Sequence, residues 1–233
     1  MTYRLPPRVP NGLTLVDICC KAGGASMGYY LAGFNIVGID RDPQPRYPFP
    51  FIQRDLRDLD PQWLAENFDA AAGSPPCWAH SDLAHRTGRT YEDFIPETRA
   101  LFEASGLPYS MENVEGAPLL NPLTLCGTMF DGLRVSRHRL FESNLLLTAP
   151  RPCPPRHPLH YTRDKRKAHY GRLDEMSAFV QVTGGGNSSK AAAADAMGID
   201  WMTKDELNQA IPPAYTRWIG EQIADHIRAG VAA

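Results

Sequence analysis

The chain has 233 residues and a mass of 25.8 kDa, which is enough for one α/β domain with a small appended lobe. Its longest apolar runs are strand-sized and its N-terminus lacks the apolar core of a signal peptide, so we expect a cytoplasmic protein without a membrane span. The net charge of −2 at pH 7 argues against a protein that is uniformly basic for nucleic-acid binding.

One segment departs from this average charge. Residues 134–172 carry ten basic and two acidic residues, a composition that is typical of a surface for a polyanion. The alternative is a solvated basic loop without a binding role.

The five cysteines are an odd number, and we identify among them no C-x-x-C pair and no Cys/His pairing at zinc-ligand spacing. We therefore expect free thiols in a reducing compartment, of which one is a candidate nucleophile, and no metal site.

Apolar runs alternate with helix-like segments along the first half of the chain. Strands are expected at residues 12–20, 34–39, 51–53, 68–73 and 108–111, with a further pair at 123–130 and 133–143. Helices are expected at residues 26–32, 61–67, 94–105 and 205–229, the last interrupted by Pro212 and Pro213. This alternation predicts a parallel sheet with helices on both faces and a ligand at the carboxyl ends of the strands. From residue 145 the pattern breaks, which predicts an irregular lobe.

The first strand leads into the sequence D-I-C-C-K-A-G-G-A-S-M-G, which spans Asp17 to Gly28. Glycines in such a turn let the backbone approach a ligand and direct N–H groups at it. Asp40, at the end of the second strand, is a candidate acceptor for ribose hydroxyls, or else an exposed turn residue. Asp55, after the third strand, is a candidate acceptor for an adenine amino group, or else a helix N-cap.

Two further polar motifs follow neighbouring strands. The sequence S-P-P-C places Cys77 at the end of the fourth strand, and E-N-V places Glu112 at the end of the next. A thiol beside an acid/base group is the arrangement that covalent catalysis requires. The alternative for Cys77 is a small buried apolar residue.

These motifs, together with R-x-R at Arg137 and Arg139 and with N-Q-A-I-P-P at residues 208–213, resemble the cytosine-C5 DNA methyltransferases in content and order over almost the whole chain. The resemblance implies an α/β fold, a Rossmann-like S-adenosylmethionine-dependent methyltransferase sheet with a small irregular target-recognition lobe. It divides the chain into a catalytic and cofactor-binding domain (1–144), a target-recognition insert (145–204) and a C-terminal helix (205–233) that returns to the catalytic domain.

The resemblance also implies a mechanism. Cys77 would attack C6 of a flipped cytosine, Glu112 would protonate N3, and C5 would take the transferred group from the sulfonium. Arg139, with Arg137 as a second candidate, would bind the base carbonyl and a flanking phosphate; the alternative is a surface charge pair. The cofactor contacts that it assigns are Asp17, Cys19, Lys21, Ala22, Gly23, Gly24, Asp40, Arg41, Asp55, Leu56, Pro75, Asn208 and Ala210.

Four positions depart from the family pattern, which usually has phenylalanine, glycine, glutamine and glutamine at Cys19, Lys21, Trp78 and Val135, respectively. The region between R-H-R and the final motif is short for target recognition, which predicts weak sequence specificity or a very short target. The basic segment still offers phosphate contacts, which provide affinity without sequence readout.

Lys21 has three interpretations. Its ammonium extends into solvent or pairs with a surface acid, binds the methionine carboxylate or a DNA phosphate, or faces a donor that is itself negatively charged. The third follows because an ammonium repels a sulfonium by about 4 kcal/mol at roughly 4 Å in an effective dielectric of about 20. Carboxy-S-adenosylmethionine carries the compensating charge, so Lys21 favours it as the donor, with 5-carboxymethylcytosine as the product; the alternative donor is ordinary S-adenosylmethionine.

Three rival functions remain open at this point: a cytosine methyltransferase acting on RNA, a non-catalytic DNA-binding member of the family, and a nucleotide-dependent oxidoreductase. The preferred reading is a monomeric, DNA-modifying enzyme of a bacterial or phage-infected cell, without a membrane partner. A phage enzyme that modifies many cytosines would suit the short recognition region.

Overall fold

Seven strands form one sheet at the centre of the protein. The computed structural model describes residues 3–80, 91–157, 178–183 and 188–231. The strands are β1 (Thr14–Ile18), β2 (Asn35–Asp40), β3 (Phe51–Gln53), β4 (Ala70–Gly73), β5 (Tyr109–Asn113), β6 (Leu123–Leu125) and β7 (Arg139–Ser143). Their order is β3-β2-β1-β4-β5-β7-β6, so the chain reverses its direction of travel across the sheet between β1 and β4. In open α/β sheets, ligands bind at the carboxyl ends of the strands beside such a reversal.

Six α-helices flank the sheet in the part of the chain that the structure describes. They are α1 (Gly24–Leu31), α2 (Pro61–Asn67), α3 (Ile95–Ser105), α4 (Lys190–Met197), α5 (Lys204–Gln209) and α6 (Pro213–Val231). Local sequence explains their ends: Pro61 starts α2 behind the N-cap Asp60, and Thr203 and Glu206 form a capping box at α5. The predicted α/β fold, and the predicted break at Pro212 and Pro213, are confirmed.

The hydrophobic core lies on both faces of the sheet. Neighbouring β1 residues point to opposite faces, so Leu15 packs with α1 and α6 while Val16 packs with α2 and α3. Phe34 and Phe102, both fully buried, are large members of the respective clusters. Because both faces are covered, the strands are apolar runs rather than alternating ones, and only their ends are open to a ligand.

Helices α1 and α6 approach each other closely at Gly28. A Cβ atom at this position would lie 2.0 Å from Thr216 Oγ1 and 2.2 Å from the Pro213 carbonyl. Thr216 Oγ1 also donates a hydrogen bond to the Ala25 carbonyl at 2.8 Å. The C-terminal helix therefore packs directly against the helix that follows the glycine loop.

The prediction of a parallel sheet with two long final strands is wrong in part. Strands β1 to β5 are parallel, but β7 runs antiparallel to β5 and to β6. The strand expected over residues 123–130 stops at Leu125, because Gly127–Met129 forms a 3-10 turn, and the next strand begins only at Arg139. The sheet is therefore mixed, and residues 133–138 lie outside it.

A third hydrophobic cluster joins the irregular region after β7 to the glycine loop and to the segment before β7. Val180, Val182 and α4 pack against Ala22 of the glycine loop and Val135. Trp201 Nε1 donates a hydrogen bond to the Ala22 carbonyl at 2.8 Å. No helix among the described residues is long and apolar enough to cross a membrane.

Candidate active site

The loop between β1 and α1 has an unusual backbone. Cys19, Lys21 and Gly23 have positive φ angles of 59°, 46° and 83°, and Gly23 is the N-cap of α1. Positive φ is costly for residues other than glycine, so the loop is shaped by contacts around it. Asp17, at the end of β1, accepts a hydrogen bond from Ser26, and burial raises its pKa to about 7.

Asp40 anchors this loop. The carboxylate is buried, with Oδ2 accepting from the Lys21 backbone N–H at 3.1 Å and Oδ1 accepting from the Asp42 N–H at 3.0 Å. The Lys21 ammonium lies 3.6 Å from Asp40 Oδ1 and 3.6 Å from Asp42 Oδ2. The side chain of Lys21 is 43% exposed. Of the three interpretations of Lys21, the structure shows pairing with acids at the end of β2.

A cleft opens beside the loop at the carboxyl ends of β1 and β2. One wall of the cleft is apolar. The cleft is also lined by the buried carboxylate of Asp40. The lining residues are Ile18, Cys19, Lys21, Ile39, Asp40, Arg41, Arg54, Asp55, Leu56, Pro76, Trp78 and Phe94. An apolar slot with a carboxylate acceptor matches the needs of an adenosine, whose base is largely apolar on its faces and whose ribose presents hydroxyl donors.

Asp55 is the N-cap of a 3-10 turn (Leu56–Asp58), as in the alternative interpretation of this residue. Its carboxylate accepts hydrogen bonds from the Arg57 backbone N–H at 3.1 Å, Arg57 Nε at 3.0 Å and Arg57 Nη2 at 2.8 Å. These hydrogen bonds lower the pKa of Asp55 to about 2. Asp55 is therefore a fixed anion at the rim of the cleft.

Cys77 follows β4, and Glu112 lies within the neighbouring strand β5, one residue before its carboxyl end. The Asn113 side chain donates a hydrogen bond to the Pro75 carbonyl at 3.1 Å and thereby joins the two strand ends. Burial raises the pKa of the Cys77 thiol, and the charge of Glu112 raises it further, while Arg139 lowers it. Burial also raises the pKa of Glu112, against the opposing effects of Arg139 and Arg137. The thiol, the carboxyl group and the two arginines therefore form one electrostatically coupled group.

The two arginines contact this group from the first residue of β7, Arg139, and from the segment just before it, which carries Arg137. Arg139 Nε lies 2.9 Å from Glu112 Oε1. Arg137 donates to the carbonyls of Val182 at 3.2 Å and Asn208 at 2.8 Å, while its Nε is buried without a hydrogen-bond partner among the described residues. Burial lowers the pKa of Arg137 to about 9. The alternative of a surface charge pair is therefore wrong.

The other predicted residues differ in their environment. Cys19, Lys21, Asp40, Arg41, Asp55 and Leu56 all line the cleft. Ala22 and Ala210 are buried in the third cluster, and a Cβ at Gly24 would lie 2.7 Å from the Ile211 carbonyl. Ala22, Gly24 and Ala210 thus shape the loop through packing. Asn208 offers its carbonyl to Arg137, and its own Oδ1 is buried without a hydrogen-bond partner among the described residues.

Sequence reasoning missed several lining residues, notably Phe94, Arg54, Pro76 and the apolar pair Ile18 and Ile39. Phe94 lies at the N-cap of α3, and the sequence pattern indicates only its place at the start of that helix. The sequence signal for this wall of the cleft was an aromatic residue, Trp78, directly after Cys77. In the structure Trp78 lines the cleft and is 47% exposed. The expected basic surface lies partly outside the described residues, which end at His157 and resume at Ala178.

The sheet order and the polar strand ends define an α/β fold of the class found in methyltransferases. No family model matches the chain, and neither does any curated protein. Among solved structures, Entamoeba histolytica methyltransferase EhMeth aligns with a TM-score of 0.55 at 12% identity, over 95% of this chain and 99% of that chain. S. pombe Dnmt2 methyltransferase aligns with a TM-score of 0.55 at 13% identity, over 92% and 99% of the respective chains.

A mutant of Spodoptera frugiperda DNMT2 also aligns, at 18% identity and a TM-score of 0.43, over 70% of this chain and 61% of that chain. The alignment thus spans less than two thirds of that protein. At these identities, the likeness to EhMeth and to S. pombe Dnmt2 concerns the fold alone.

Proposed function

We propose that the protein is a cytosine-C5 transferase that modifies DNA with S-adenosylmethionine as donor. The observation that carries the proposal is the coupled group of Cys77, Glu112 and Arg139 at the carboxyl ends of β4, β5 and at the start of β7. This group lies beside the cleft that Asp40 and Trp78 line. A nucleophile, a proton donor and a cation at one edge of the sheet are the parts that addition to a cytosine ring requires.

The first step is addition to the base. The Cys77 thiolate forms a bond to C6, the C5–C6 π electrons form a C4–C5 double bond, and the C4–N3 π electrons move to N3, which takes a proton from Glu112. The raised pKa of Glu112 favours the protonated form that this step consumes. A stacked base cannot present C6 to a thiol, so the cytosine must leave the helix.

The second half of the reaction restores the ring. C5 would form a bond to the methyl carbon as the bond between that carbon and the sulfonium sulfur breaks, so that the donor leaves as a neutral thioether. A base then takes the C5 proton, and the electrons of that C–H bond reform the C5–C6 double bond as the Cys77 thiolate leaves. N3 returns its proton to Glu112. Arg139 keeps Glu112 in place throughout, because its guanidinium is within hydrogen-bond distance of the carboxyl group.

The cleft suits the donor. Bound S-adenosylmethionine would supply an electrophilic methyl group. Asp40 would accept hydrogen bonds from ribose hydroxyls, and Phe94 and Leu56 would contact the adenine ring. The positive φ angles of the loop at Cys19 and Gly23 set the backbone path along which the methionine portion would lie.

The ordinary donor is preferred over carboxy-S-adenosylmethionine because of Lys21. The argument for a carboxylated donor requires an ammonium without a compensating charge, and Asp40 and Asp42 each lie 3.6 Å from it. Two carboxylates near one ammonium leave no need for a third on the donor. Carboxy-S-adenosylmethionine is therefore tested beside S-adenosylmethionine as the alternative donor.

DNA is proposed as the acceptor because the ordered motifs resemble those of DNA-modifying enzymes. RNA presents the same cytosine ring and is the second acceptor to test. In the described part of the basic segment, Arg134 pairs with Asp195 and Arg151 with Asp131, whereas Arg156 lies exposed beside Pro155. Phosphate contacts from such residues would provide affinity with little sequence readout.

The test combines a trapping assay with product mass. Duplex DNA containing 5-fluorocytosine should form a covalent adduct with the wild-type protein and none with Cys77→Ser, because fluorine at C5 blocks the elimination that releases the thiolate. Cys20→Ser, which removes a buried thiol that does not line the cleft, is the matched control that should still form the adduct. Digested nucleosides should contain 5-methylcytosine.

Three results would contradict the proposal in distinct ways. Adduct formation with tRNA alone would show that the acceptor is RNA rather than DNA. Formation of 5-carboxymethylcytosine from the carboxylated donor at equal or higher yield would show that the donor is carboxy-S-adenosylmethionine. Absence of any adduct in folded protein that binds DNA would leave a non-catalytic protein.

A further inference from the structure

Four metal-ligating side chains meet away from the cleft. Cys126, His138, Cys153 and His157 each direct one ligand atom to a common point, and these four atoms all lie within 4.8 Å of one another. Cys126 is fully buried, and the other three side chains are partly buried. Burial of two thiols and two imidazoles around one point is uncommon unless they share a partner.

The distances between these atoms match tetrahedral zinc coordination. Cys153 Sγ lies 3.1 Å from His157 Nε2 and 3.5 Å from His138 Nε2, and Cys126 Sγ lies 3.7 Å from His157 Nε2. With Zn–S bonds of about 2.3 Å and Zn–N bonds of about 2.0 Å, tetrahedral angles require S···N separations of about 3.6 Å. The four atoms therefore need only small shifts to hold one ion.

The surroundings of the cluster also suit a cation. Two thiolates and two neutral imidazoles neutralise a divalent ion. His138 Nδ1 lies 3.4 Å from Glu115 Oε1, so a carboxylate can accept the proton of the ring nitrogen opposite the ligating one. Thr128 Oγ1 donates a hydrogen bond to Cys126 Sγ at 3.1 Å, which stabilises a thiolate.

The hairpin explains how distant residues meet. Leu125 pairs with Arg139 in the β6–β7 ladder, so the neighbouring Cys126 and His138 face each other across the hairpin end. Cys153 and His157 come from the segment after β7 and are four positions apart, a C-x3-H spacing. This contradicts the sequence-based statement that no cysteine and histidine have zinc-ligand spacing.

We propose that Cys126, His138, Cys153 and His157 bind one Zn²⁺ ion. Two thiolates with two imidazoles in tetrahedral array favour zinc over the harder cations. Four protein ligands leave no position for water, so the site is structural rather than catalytic. His138 lies between Arg137 and Arg139, so the ion joins the arginine-bearing chain to the segment around Cys153. Zinc thereby fixes the segment that places Arg139 against Glu112.

The first experiment measures metal in tag-free protein purified without chelator and dialysed against metal-free buffer. We expect about one zinc per chain by elemental analysis, and X-ray absorption at the zinc edge with two sulfur ligands at about 2.3 Å and two nitrogen ligands at about 2.0 Å. This measurement uses the wild-type protein alone, so it does not depend on whether any variant folds. It also needs neither nucleic acid nor donor, so it is independent of the proposed transferase activity.

Variants then assign the ligands. Cys153→Ser and His157→Ala should each reduce zinc at least about fivefold, because three remaining ligands hold the ion far more weakly. Cys20→Ser, a buried thiol outside the cluster, and His226→Ala, an exposed imidazole on α6, should keep it. Circular dichroism and gel filtration identify any variant that loses zinc by unfolding.

Three outcomes would overturn the proposal. The first is wild-type protein that contains no zinc and retains none after addition of equimolar zinc sulfate. The second is an absorption spectrum without two sulfur ligands. The third is a non-reduced mass lower by two hydrogens, with Cys126 and Cys153 in one disulfide-linked peptide.

Discussion

Arg139 Nε lies 2.9 Å from Glu112 Oε1, and the two side chains are only 14% and 10% exposed. The pair joins β5 to β7, strands that run antiparallel at the edge of the parallel sheet. Burial raises the pKa of Glu112 more than the arginines lower it. The arginine therefore positions a carboxyl group that retains a tendency to carry a proton.

The first prediction concerns that proton. Glu112→Gln preserves the shape of the side chain and removes its acid, so we expect kcat to fall about 10²- to 10⁴-fold. Steady-state transfer to cytosine-containing DNA measures the change. Glu103→Gln, on the exposed side of α3, is the matched control and should keep wild-type activity. A Glu112→Gln enzyme with unchanged kcat would exclude this residue as the proton donor.

The second prediction is the pH profile. In the proposed mechanism the active form has Glu112 protonated and Cys77 ionised, although burial raises the pKa of both groups. Between the two pKa values, each rise of one pH unit increases the thiolate about tenfold and decreases the protonated carboxyl group about tenfold, so kcat/KM should be flat. Above the Cys77 pKa it should fall, because only the loss of protonated Glu112 continues.

Glu112→Gln should change the shape of that profile. With no carboxyl group to lose its proton, kcat/KM should rise about tenfold per pH unit up to the Cys77 pKa and then become constant. A variant profile parallel to that of the wild type would show that another group supplies the proton. The difference in slope distinguishes a catalytic acid from a residue that merely holds Arg139.

Much of the fold follows from short-range pattern. The apolar runs around Leu15 and Ile39, each followed by an acid or glycines, were enough to place β1 and β2 and to predict where a ligand would bind. The end of the sheet was harder. Cys126 to His138 has mixed polarity, and the 3-10 turn at Gly127–Met129 ends a run that hydrophobicity alone would continue.

The site was predictable only where its parts are local. Cys77 follows β4 and Glu112 lies near the end of β5, which extends beyond the strand end that the sequence predicts; because parallel strand ends share one edge of a sheet, the motifs alone bring the two residues to that edge. The partners of Lys21 depend on its rotamer and on the turn at Asp42, which no spacing rule specifies. Only the Cys153 and His157 half of the proposed zinc site has a local C-x3-H spacing; Cys126 and His138 join it through the β6–β7 hairpin, which no local motif specifies.

The third prediction concerns Asp17. Burial raises its pKa to about 7, from 3.8, so the folded state binds a proton that the unfolded state has released. Stability is therefore highest at low pH and is lost as pH rises through the folded pKa. For this group, the loss is about 3 kcal/mol between about pH 5 and about pH 8.

Asp17→Asn should remove that loss, because the amide stays neutral and still accepts a hydrogen bond from Ser26. The free energy of unfolding is measured by urea titration at both pH values for the variant, the wild type and Asp225→Asn, an exposed control on α6. If the variant loses as much stability as the wild type between the two values, Asp17 is ionised throughout.

The fourth prediction separates the backbone of Lys21 from its charge. Lys21→Ala and Lys21→Gly remove the same ammonium and the same ion pairs, but only glycine relieves the strain of φ 46°. We expect the glycine variant to be more stable than the alanine variant by about 1 kcal/mol in urea titration. Equal stability of the two variants would mean that the loop changes conformation when the lysine is removed.

The fifth prediction tests the contact that seats the C-terminal helix on the loop helix. Gly28→Ala would place a Cβ 2.2 Å from the Pro213 carbonyl, which is backbone and cannot rotate away, so α1 and α6 must separate. We expect a loss of about 1–3 kcal/mol in the free energy of unfolding, measured by urea titration. Gly230→Ala, with open space around its Cβ position in α6, should instead gain about 0.5–1 kcal/mol from helix propensity. A gain of similar size at both glycines would show that α1 and α6 do not meet at Gly28 in solution.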